Sequence, residues 1–349
     1  MLTFLIMAGG SGERFWPLST KEKPKQLLKI FSEKSLIRLA YERVLPLVDK
    51  NQIFIATNEI QVPALKEDLT ELDDSRIIIE PAFRDTAAAI AYGSTMISKY
   101  YENPTVVVLA SDHLISDGKT FRNVIKLAEA EALRGSIVTL GIKPTYPETG
   151  YGYIEVSDST LNQPTKSFGF REKPKYEIAK EYFESGRYLW NSGMFIFTYD
   201  TIMNALKEYS PNHYETIESI KPLFDKNEGA QTAEKVKEKF MNFEKKSIDF
   251  AVMEHAKNIM VIPSEFGWND VGNFTAFEEL FNKDENGNVF RNVKCISVDS
   301  NNNIVVSDSN QQRISLLGVA NMIVAVTKDN ILICSKDKNQ DIKKIIKLL

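Results

Sequence analysis

The chain has 349 residues, 43% hydrophobic and 26% charged, with a formal net charge of −4. These values suit one large α/β domain with a smaller companion and argue against a disordered chain or a coiled coil. They also give no electrostatic footprint for nucleic acid or an anionic membrane, so anionic ligands must be held by local charges.

Only two cysteines occur, Cys295 and Cys334, which argues against a disulfide framework and for buried free thiols in a reducing compartment. The apolar start lacks a basic flank and is too short for a signal peptide. No later apolar run approaches the roughly 20 residues that span a bilayer. A soluble cytoplasmic protein is expected.

The first element is an apolar strand over residues 2–7. It discharges into Ala8-Gly9-Gly10-Ser11-Gly12-Glu13-Arg14, with Pro24-Lys25-Gln26 shortly after. Glycines let backbone N–H groups approach a ligand, and arginine and lysine supply the charge that phosphate oxygens need. The segment from Ala8 to Lys25 therefore reads as a nucleoside triphosphate cradle, against the alternative of a plain glycine turn with a solvated lysine. It is neither a Walker loop, lacking Gly-Lys-Ser/Thr at this place, nor a dinucleotide fingerprint, having Phe15 where the last glycine belongs.

Continuous apolar runs at 52–57, 76–80 and 105–110 alternate with helical stretches at 35–47, capped by Ser35, and 86–101. That alternation predicts a doubly wound, Rossmann-like sheet. Ser111-Asp112-His113 follows the third run, beyond the carboxyl end of a strand, where α/β sheets bind ligands. Asp112 suits Mg²⁺ there, or else caps a helix. His113 reads as a packed residue rather than a ligand. From about residue 151 the pattern changes to strands at 151–156 and 193–197 among charged helices, an insertion attached to the sheet. A second acid, Asp270, stands in a tight turn, Phe266-Gly-Trp-Asn-Asp-Val-Gly272. Residues 282–288 form a polar linker. Short strands at 292–298, 303–306, 314–319, 322–326 and 331–334 follow, then a helix at 340–349. We expect a boundary near 282, dividing the chain into 1–281 and a β unit, 282–349, whose exposed edges would drive dimerisation.

The opening pattern resembles the sugar-1-phosphate nucleotidyltransferases, and Arg14-Phe-Trp-Pro-Leu-Ser19 within it resembles their mannose-1-phosphate guanylyltransferase (GDP-mannose pyrophosphorylase) branch. Further segments match in order. Gly150-Tyr151-Gly152 resembles the sugar-contacting turn. Phe170-Arg171-Glu172-Lys173-Pro174 resembles the motif whose glutamate contacts the hexose and whose lysine contacts its phosphate. Trp190-Asn191-Ser192-Gly193 resembles the segment whose asparagine binds sugar hydroxyls, and Ser247-Ile-Asp-Phe-Ala-Val-Met-Glu254 is similar to an octapeptide of the mannose branch. The resemblance implies that Asp112 and Asp270 bind the catalytic Mg²⁺, and that Asp85, Thr86 and Ser111 face the nucleotide. The last part is similar to the β-coil tail of the bacterial enzymes.

One segment departs from the family. Glu80-Pro-Ala-Phe-Arg-Asp85-Thr86-Ala-Ala88 carries aspartate where asparagine is usual and alanine where proline is usual. Asp85 keeps an acceptor for the guanine N1–H and 2-amino group, so guanine preference survives in weakened form. The resemblance thus implies transfer of GMP from GTP to mannose 1-phosphate, giving GDP-mannose and pyrophosphate, with Arg14 and Lys25 on the leaving group. The alternatives are another manno-configured sugar 1-phosphate such as a heptose, a base-tolerant site, or a catalytically silent sensor of nucleotide sugars. Fusions that also isomerise the hexose phosphate carry a cupin-like domain after the tail, and the chain ends at Leu349, so that second activity is not expected.

Overall fold

The computed structural model describes residues 1–10, 12–224, 230–309, 311 and 313–349. In chain order the elements of the first part are β1 (Leu2–Met7), α1 (Leu36–Val44), β2 (Ile53–Thr57), α2 (Val62–Asp68), β3 (Ile77–Ile79), α3 (Asp85–Ser98), β4 (Thr105–Ala110), β5 (Leu114–Ile115), α4 (Gly118–Ala132) and β6 (Ile137–Ile142). They continue as β7 (Tyr153–Val156), β8 (Thr165–Arg171), α5 (Tyr176–Ser185), β9 (Tyr188–Thr198), α6 (Tyr199–Tyr209), α7 (Pro211–Ile220), α8 (Ala230–Phe240), β10 (Ile259–Ser264), β11 (Trp268–Asn269) and α9 (Phe277–Leu280).

Nine of these strands make one sheet in the order β3-β2-β1-β4-β9-β6-β10-β8-β7. The strands β1 to β4 run parallel, β9 runs antiparallel to both β4 and β6, and β6 and β10 are again parallel. The sheet is therefore mixed, and the segment expected as an insertion supplies its central antiparallel strand. An apolar run looks the same whether its neighbours run with it or against it, so the sequence does not reveal this direction.

Alternation along β1 builds two cores. Leu5 faces the apolar cluster that holds Ala87, Ile90 and Ala91 of α3, while Phe4 and Ile6 face the one that holds α1 and α4. Ser35 caps α1 by accepting from the Arg38 N–H at 3.1 Å. A Gly-Lys-Thr tripeptide does occur, at Gly118–Thr120, but it opens α4, where the Asp117 carboxylate already accepts from the N–H groups of Lys119 and Thr120. That helix start is satisfied by its own cap, as an anion site would not be.

The last part comprises β12 (Val289–Arg291), β13 (Lys294–Val298), β14 (Ile304–Ser307), β15 (Arg313–Leu317), β16 (Met322–Val326), β17 (Ile331–Ser335) and α10 (Ile342–Ile346). Parallel stacking of β12, β14 and β16 on one side and of β13 and β15 on the other makes a short coil. Buried Asn288 and Asn303 form a ladder inside it: Asn303 Nδ2 donates to Asn288 Oδ1 at 2.9 Å, and the Met322 N–H donates to Asn303 Oδ1 at 2.9 Å. Buried amides persist only when bonded in this way. The terminal helix is shorter than expected, because a 3₁₀ stretch, Lys336–Asp341, takes the start of that segment. The two cysteines are free but only half-buried, not the buried thiols expected, since they lie on sheet faces that this small unit only partly covers.

One apolar cluster joins the two parts. Phe15 and Leu18 from the opening loop pack with Phe274 and Phe277, and with Val289, Ile304, Ile323, Leu332 and Ile342 of the coil. Among the described residues no helix is long and apolar enough to cross a membrane.

Candidate active site

The carboxyl ends of β1 and β4 lie side by side, because Met7 pairs with Ala110, and this puts the opening loop beside Ser111 and Asp112. Two glutamines pin the loop. Gln26 Nε2 donates to the Ala8 carbonyl at 2.7 Å and the Gly10 carbonyl at 3.2 Å, and Gln61 Nε2 donates to Gly10 at 3.3 Å. With those carbonyls bound inward, no described residue accepts from the N–H groups of Gly9 or Gly10, which remain for a ligand. Gly12 has φ +62°, and a Cβ there would lie 2.4 Å from Lys25 Cβ, so only glycine lets the loop close over the lysine. Ser11 lies outside the described residues.

Asp270 reaches Asp112 by a short ribbon. β11 pairs antiparallel with β5, Trp268 opposite Ile115 and Asn269 opposite Leu114, which delivers Asp270 to the Asp112–His113 corner. Lys25 closes the arrangement: its buried Nζ donates to Asp112 Oδ2 at 2.9 Å and to the Asp270 carbonyl at 2.8 Å. Burial alone would raise the Asp112 carboxyl, but Lys25 and then His113 hold it below the ordinary carboxylate value. Burial lowers the His113 imidazole, and its Nδ1 accepts from Trp268 Nε1 at 3.1 Å, so it serves as a packed neighbour. Glu13, Arg14, Phe15, Lys25, Asp112, His113, Asp270 and Gly272 line one cleft of about 370 Å³, together with Lys343 of α10. Ser111 is buried beneath it, its N–H bonded to the Met7 carbonyl.

The sugar motifs meet this cleft through one tyrosine. Tyr151 is wedged edge-on between Trp190 and Trp268, both 5.2 Å away, and its hydroxyl donates to Asp270 Oδ1 at 2.8 Å. Beyond it, β9 runs past the end of β4 and pairs with β7, and the Asn191 N–H donates to the Gly152 carbonyl at 2.8 Å. Gly152 packs so closely that a Cβ there would stand 2.6 Å from Glu172 Oε2. Lys173 bonds its neighbour Glu172 and keeps its side chain exposed. Gly150 is exposed, in a turn closed by its N–H donating to Glu148 at 2.6 Å.

Asn191 is more committed than its motif suggests. Its Oδ1 accepts from Thr139 Oγ1 and the Gly193 N–H, and its Nδ2 donates to Asp249 Oδ1 at 3.1 Å. Asp249 opens a π-helical turn, Asp249–Met253, a form frequent at functional sites. Burial, reinforced by the charge of Glu172, pushes its carboxyl up to about 7. At the other end of the turn Glu254 Oε1 accepts from the Glu172 N–H at 3.3 Å.

The base segment divides. Asp85 and Thr86 open α3, where Asp85 (φ +66°) accepts from the Thr86 N–H and Thr86 Oγ1 accepts from the Ile248 N–H at 2.9 Å. The structure does not bring them to the cleft of Lys25. Gly9 instead lines a second cavity of about 710 Å³ with Glu80, Pro81, Ala82 and Phe83. Burial pushes the Glu80 carboxyl up to about 7, and no described residue bonds it. Glu80, Asp249, Gln26 and Gln61 are thus the residues that motif reading passed over. Asp249 sits inside a matched segment and Glu80 inside the departing one, both as acids of no stated role; Gln26 stands beside Lys25 with no role given, and Gln61 carries no motif.

A family model described as nucleotidyl transferase matches residues 3–287, and one described as a mannose-phosphate isomerase/GMP-like β-helix domain matches 293–349. The chain is 38% identical to mannose-1-phosphate guanylyltransferase RfbM of Salmonella typhimurium, over 99% of this chain and 72% of the relative. It is 34% identical to a mannose-1-phosphate guanylyltransferase of Escherichia coli, over 99% of this chain and 75% of that one. A crystal structure named as mannose-1-phosphate geranyltransferase from Thermus thermophilus superposes with a TM-score of 0.88 and 32% identity, covering 99% and 98% of the two chains. Fold, motif order and sequence agree: the chain belongs to the nucleotidyl transferase family, with a C-terminal β-helix-type unit.

Proposed function

We propose that this protein is a mannose-1-phosphate guanylyltransferase, joining GTP and α-D-mannose 1-phosphate to give GDP-mannose and pyrophosphate. The names of the relatives that match 99% of this chain support the substrates. The observation that carries the chemistry is Lys25, fixed between the Asp112 carboxylate and the Asp270 carbonyl under a glycine loop.

The sugar phosphate is its own nucleophile. Its second pKa is near 6 by analogy with other phosphate monoesters, so it is largely dianionic at neutral pH and needs no general base. One of its oxygens bonds to the α-phosphorus of GTP while the bond to the bridging oxygen breaks, and pyrophosphate leaves with that electron pair. The protein's task is to hold two anions in line. Glu172, Asn191 and Gly152 position the sugar, Lys173 steers its phosphate, and Tyr151 ties this lobe to Asp270. Arg14, Lys25 and the loop N–H groups balance the charge growing on the leaving group.

Nucleotidyltransferases of this family generally use a divalent metal. Asp112 and Asp270 fit Mg²⁺: both are oxygen donors on one cleft, Asp270 Oδ2 accepts no hydrogen bond among the described residues, and the Asp112 side chain is 34% exposed. Mg²⁺ takes one or two carboxylates and completes its shell with water and substrate phosphate oxygens, a demand that two aspartates meet. When bound, Mg²⁺ would neutralise phosphate oxygens.

For the base, Glu80 is the better placed carboxylate to accept the guanine N1–H and 2-amino protons, because it lines the cavity next to Gly9 and has no partner of its own among the described residues. Phosphorus-31 spectra of the protein with GTP and mannose 1-phosphate test the reaction. Equal growth of GDP-mannose and pyrophosphate is expected. Turnover with a heptose 1-phosphate alone would transfer the assignment to that sugar.

We assign 1–281 to catalysis and 282–349 to the β unit, as topological parts that share the Phe15 core rather than separate folding units. Self-association as a dimer belongs to the same proposal. The outer face of β13 and β15 exposes Ile296, Val298 and Leu317, an apolar strip of the kind that another copy covers. Sedimentation of Leu317→Lys is expected to show a monomer where the wild type is a dimer. An unchanged state would overturn the dimer through this face. A cytoplasmic setting goes with these substrates.

A further inference from the structure

The final helix is seated on the opening loop. Ile342, its first residue, is buried in the cluster that contains Phe15 and Leu18, and α10 touches the Glu13–Phe15 turn. The next residue, Lys343, lines the cleft that holds Arg14, Lys25, Asp112 and Asp270. A residue of the β unit therefore enters the site from which the phosphates are handled.

The charge balance of the cleft gives this lysine a task. Among the described residues the cleft carries Arg14, Lys25 and Lys343 against Glu13, Asp112 and Asp270. Lys25 is committed to Asp112 and the Asp270 carbonyl. Neither Arg14 nor Lys343 forms a salt bridge with a described residue; Asp341, two positions before Lys343, is bridged by Lys344 at 2.8 Å, and Lys343 adds only a smaller charge interaction to it. Among the described residues, those two cations are the ones left for an incoming polyanion. Arg14 belongs to the Glu13–Phe15 turn that α10 touches, whereas Asp270 is bonded by Tyr151 of the sugar lobe. On the nucleotidyltransferase reading the α-phosphate meets the sugar phosphate near Asp270, which directs the β- and γ-phosphates toward Arg14 and Lys343.

We infer that Lys343 is a phosphate-binding residue of this active site, supplied by the C-terminal unit of the same chain to the pyrophosphate end of the nucleotide. The β unit is then part of the catalytic machinery, since Ile342 positions the lysine through the shared core. The inference rests on the nucleotidyltransferase reading above.

The test compares Lys343→Ala, Lys343→Arg and Lys344→Ala in the full chain, by titration calorimetry with inorganic pyrophosphate and by the KM for GTP. A lost contact between two charged groups is worth at least a tenfold change in affinity. Lys343→Ala is expected to weaken pyrophosphate binding and raise the KM for GTP about tenfold, with the KM for mannose 1-phosphate unchanged. Lys343→Arg is expected to recover most of the loss, and Lys344→Ala to match wild type. Wild-type pyrophosphate binding in Lys343→Ala, or an equal loss in Lys344→Ala, would overturn the assignment. An inactive wild type would count against the reaction instead, and the pyrophosphate titrations would still read Lys343.

Discussion

Lys25 Nζ stands 2.9 Å from Asp112 Oδ2 and 2.8 Å from the Asp270 carbonyl, so one ammonium joins the glycine loop to both acids. Lys25→Met should leave the fold in place and remove the charge. Losing one such preorganised contact typically costs about 3 kcal/mol in the transition state, a hundredfold or more in rate. The pyrophosphate release rate checks this. In combination with Asp112→Asn the losses should be less than additive, because the two groups act as a pair.

The π-helical turn makes a pH prediction. Asp249 is pushed from an ordinary 3.8 to about 7 by burial and then by Glu172, and burial lifts Glu80 from 4.5 to about 7. Between those values the folded chain holds protons that the unfolded chain has released, so stability falls as pH rises from about 4 to 7. Asp249→Asn keeps an acceptor for Asn191 and removes the titration. Melting temperatures at pH 5.5 and 7.5 should differ less in that variant than in wild type. Identical pH dependence would contradict the assigned environment.

Base selection separates Glu80 from Asp85. Glu80→Gln replaces a two-oxygen acceptor with an amide and should raise the KM for GTP by about tenfold or more, the cost of mispairing a buried polar group. The kcat/KM for GTP should climb with pH as Glu80 ionises near 7. Asp85→Asn, away from that cavity, should change either quantity less than threefold. The reverse ranking would return the base contact to Asp85.

Two glycines test the lobes separately. Gly12→Ala forces a side chain into a left-handed φ of +62° and onto Lys25, a strain of about 1–3 kcal/mol, and should lower kcat. Gly152→Ala meets Glu172 instead and should raise the KM for mannose 1-phosphate while sparing that for GTP. Steady-state kinetics with each substrate varied distinguishes the two.

Much of the candidate site's arrangement was legible because its parts are local. The cradle from Ala8 to Arg14 follows a strand, and Asp112 follows another, so the rule that ligands bind beyond strand ends was enough to place them. The partnership of Asp112 with Asp270 was not legible from spacing, since it depends on the two-residue ribbon Trp268–Asn269 against Leu114–Ile115. Such a ribbon is too short to leave a pattern. Glu80 and Asp249 were visible as acids, but only burial gives them perturbed titration, and burial is a property of the packed chain. Lys343 sits in the stretch that reads only as a terminal helix at 340–349. Its place in the cleft depends on Ile342 reaching the Phe15 core. The cysteines erred the other way, since an apolar segment in a two-sided coil does not guarantee a covered face.

The most direct test of the account is pyrophosphate release from mannose 1-phosphate with GTP, ATP, dTTP and UTP in turn, with Mg²⁺ and with EDTA. The account predicts release with GTP, at least tenfold less with the other three, and none in EDTA. Equal release with ATP, or release that persists in EDTA, would contradict it.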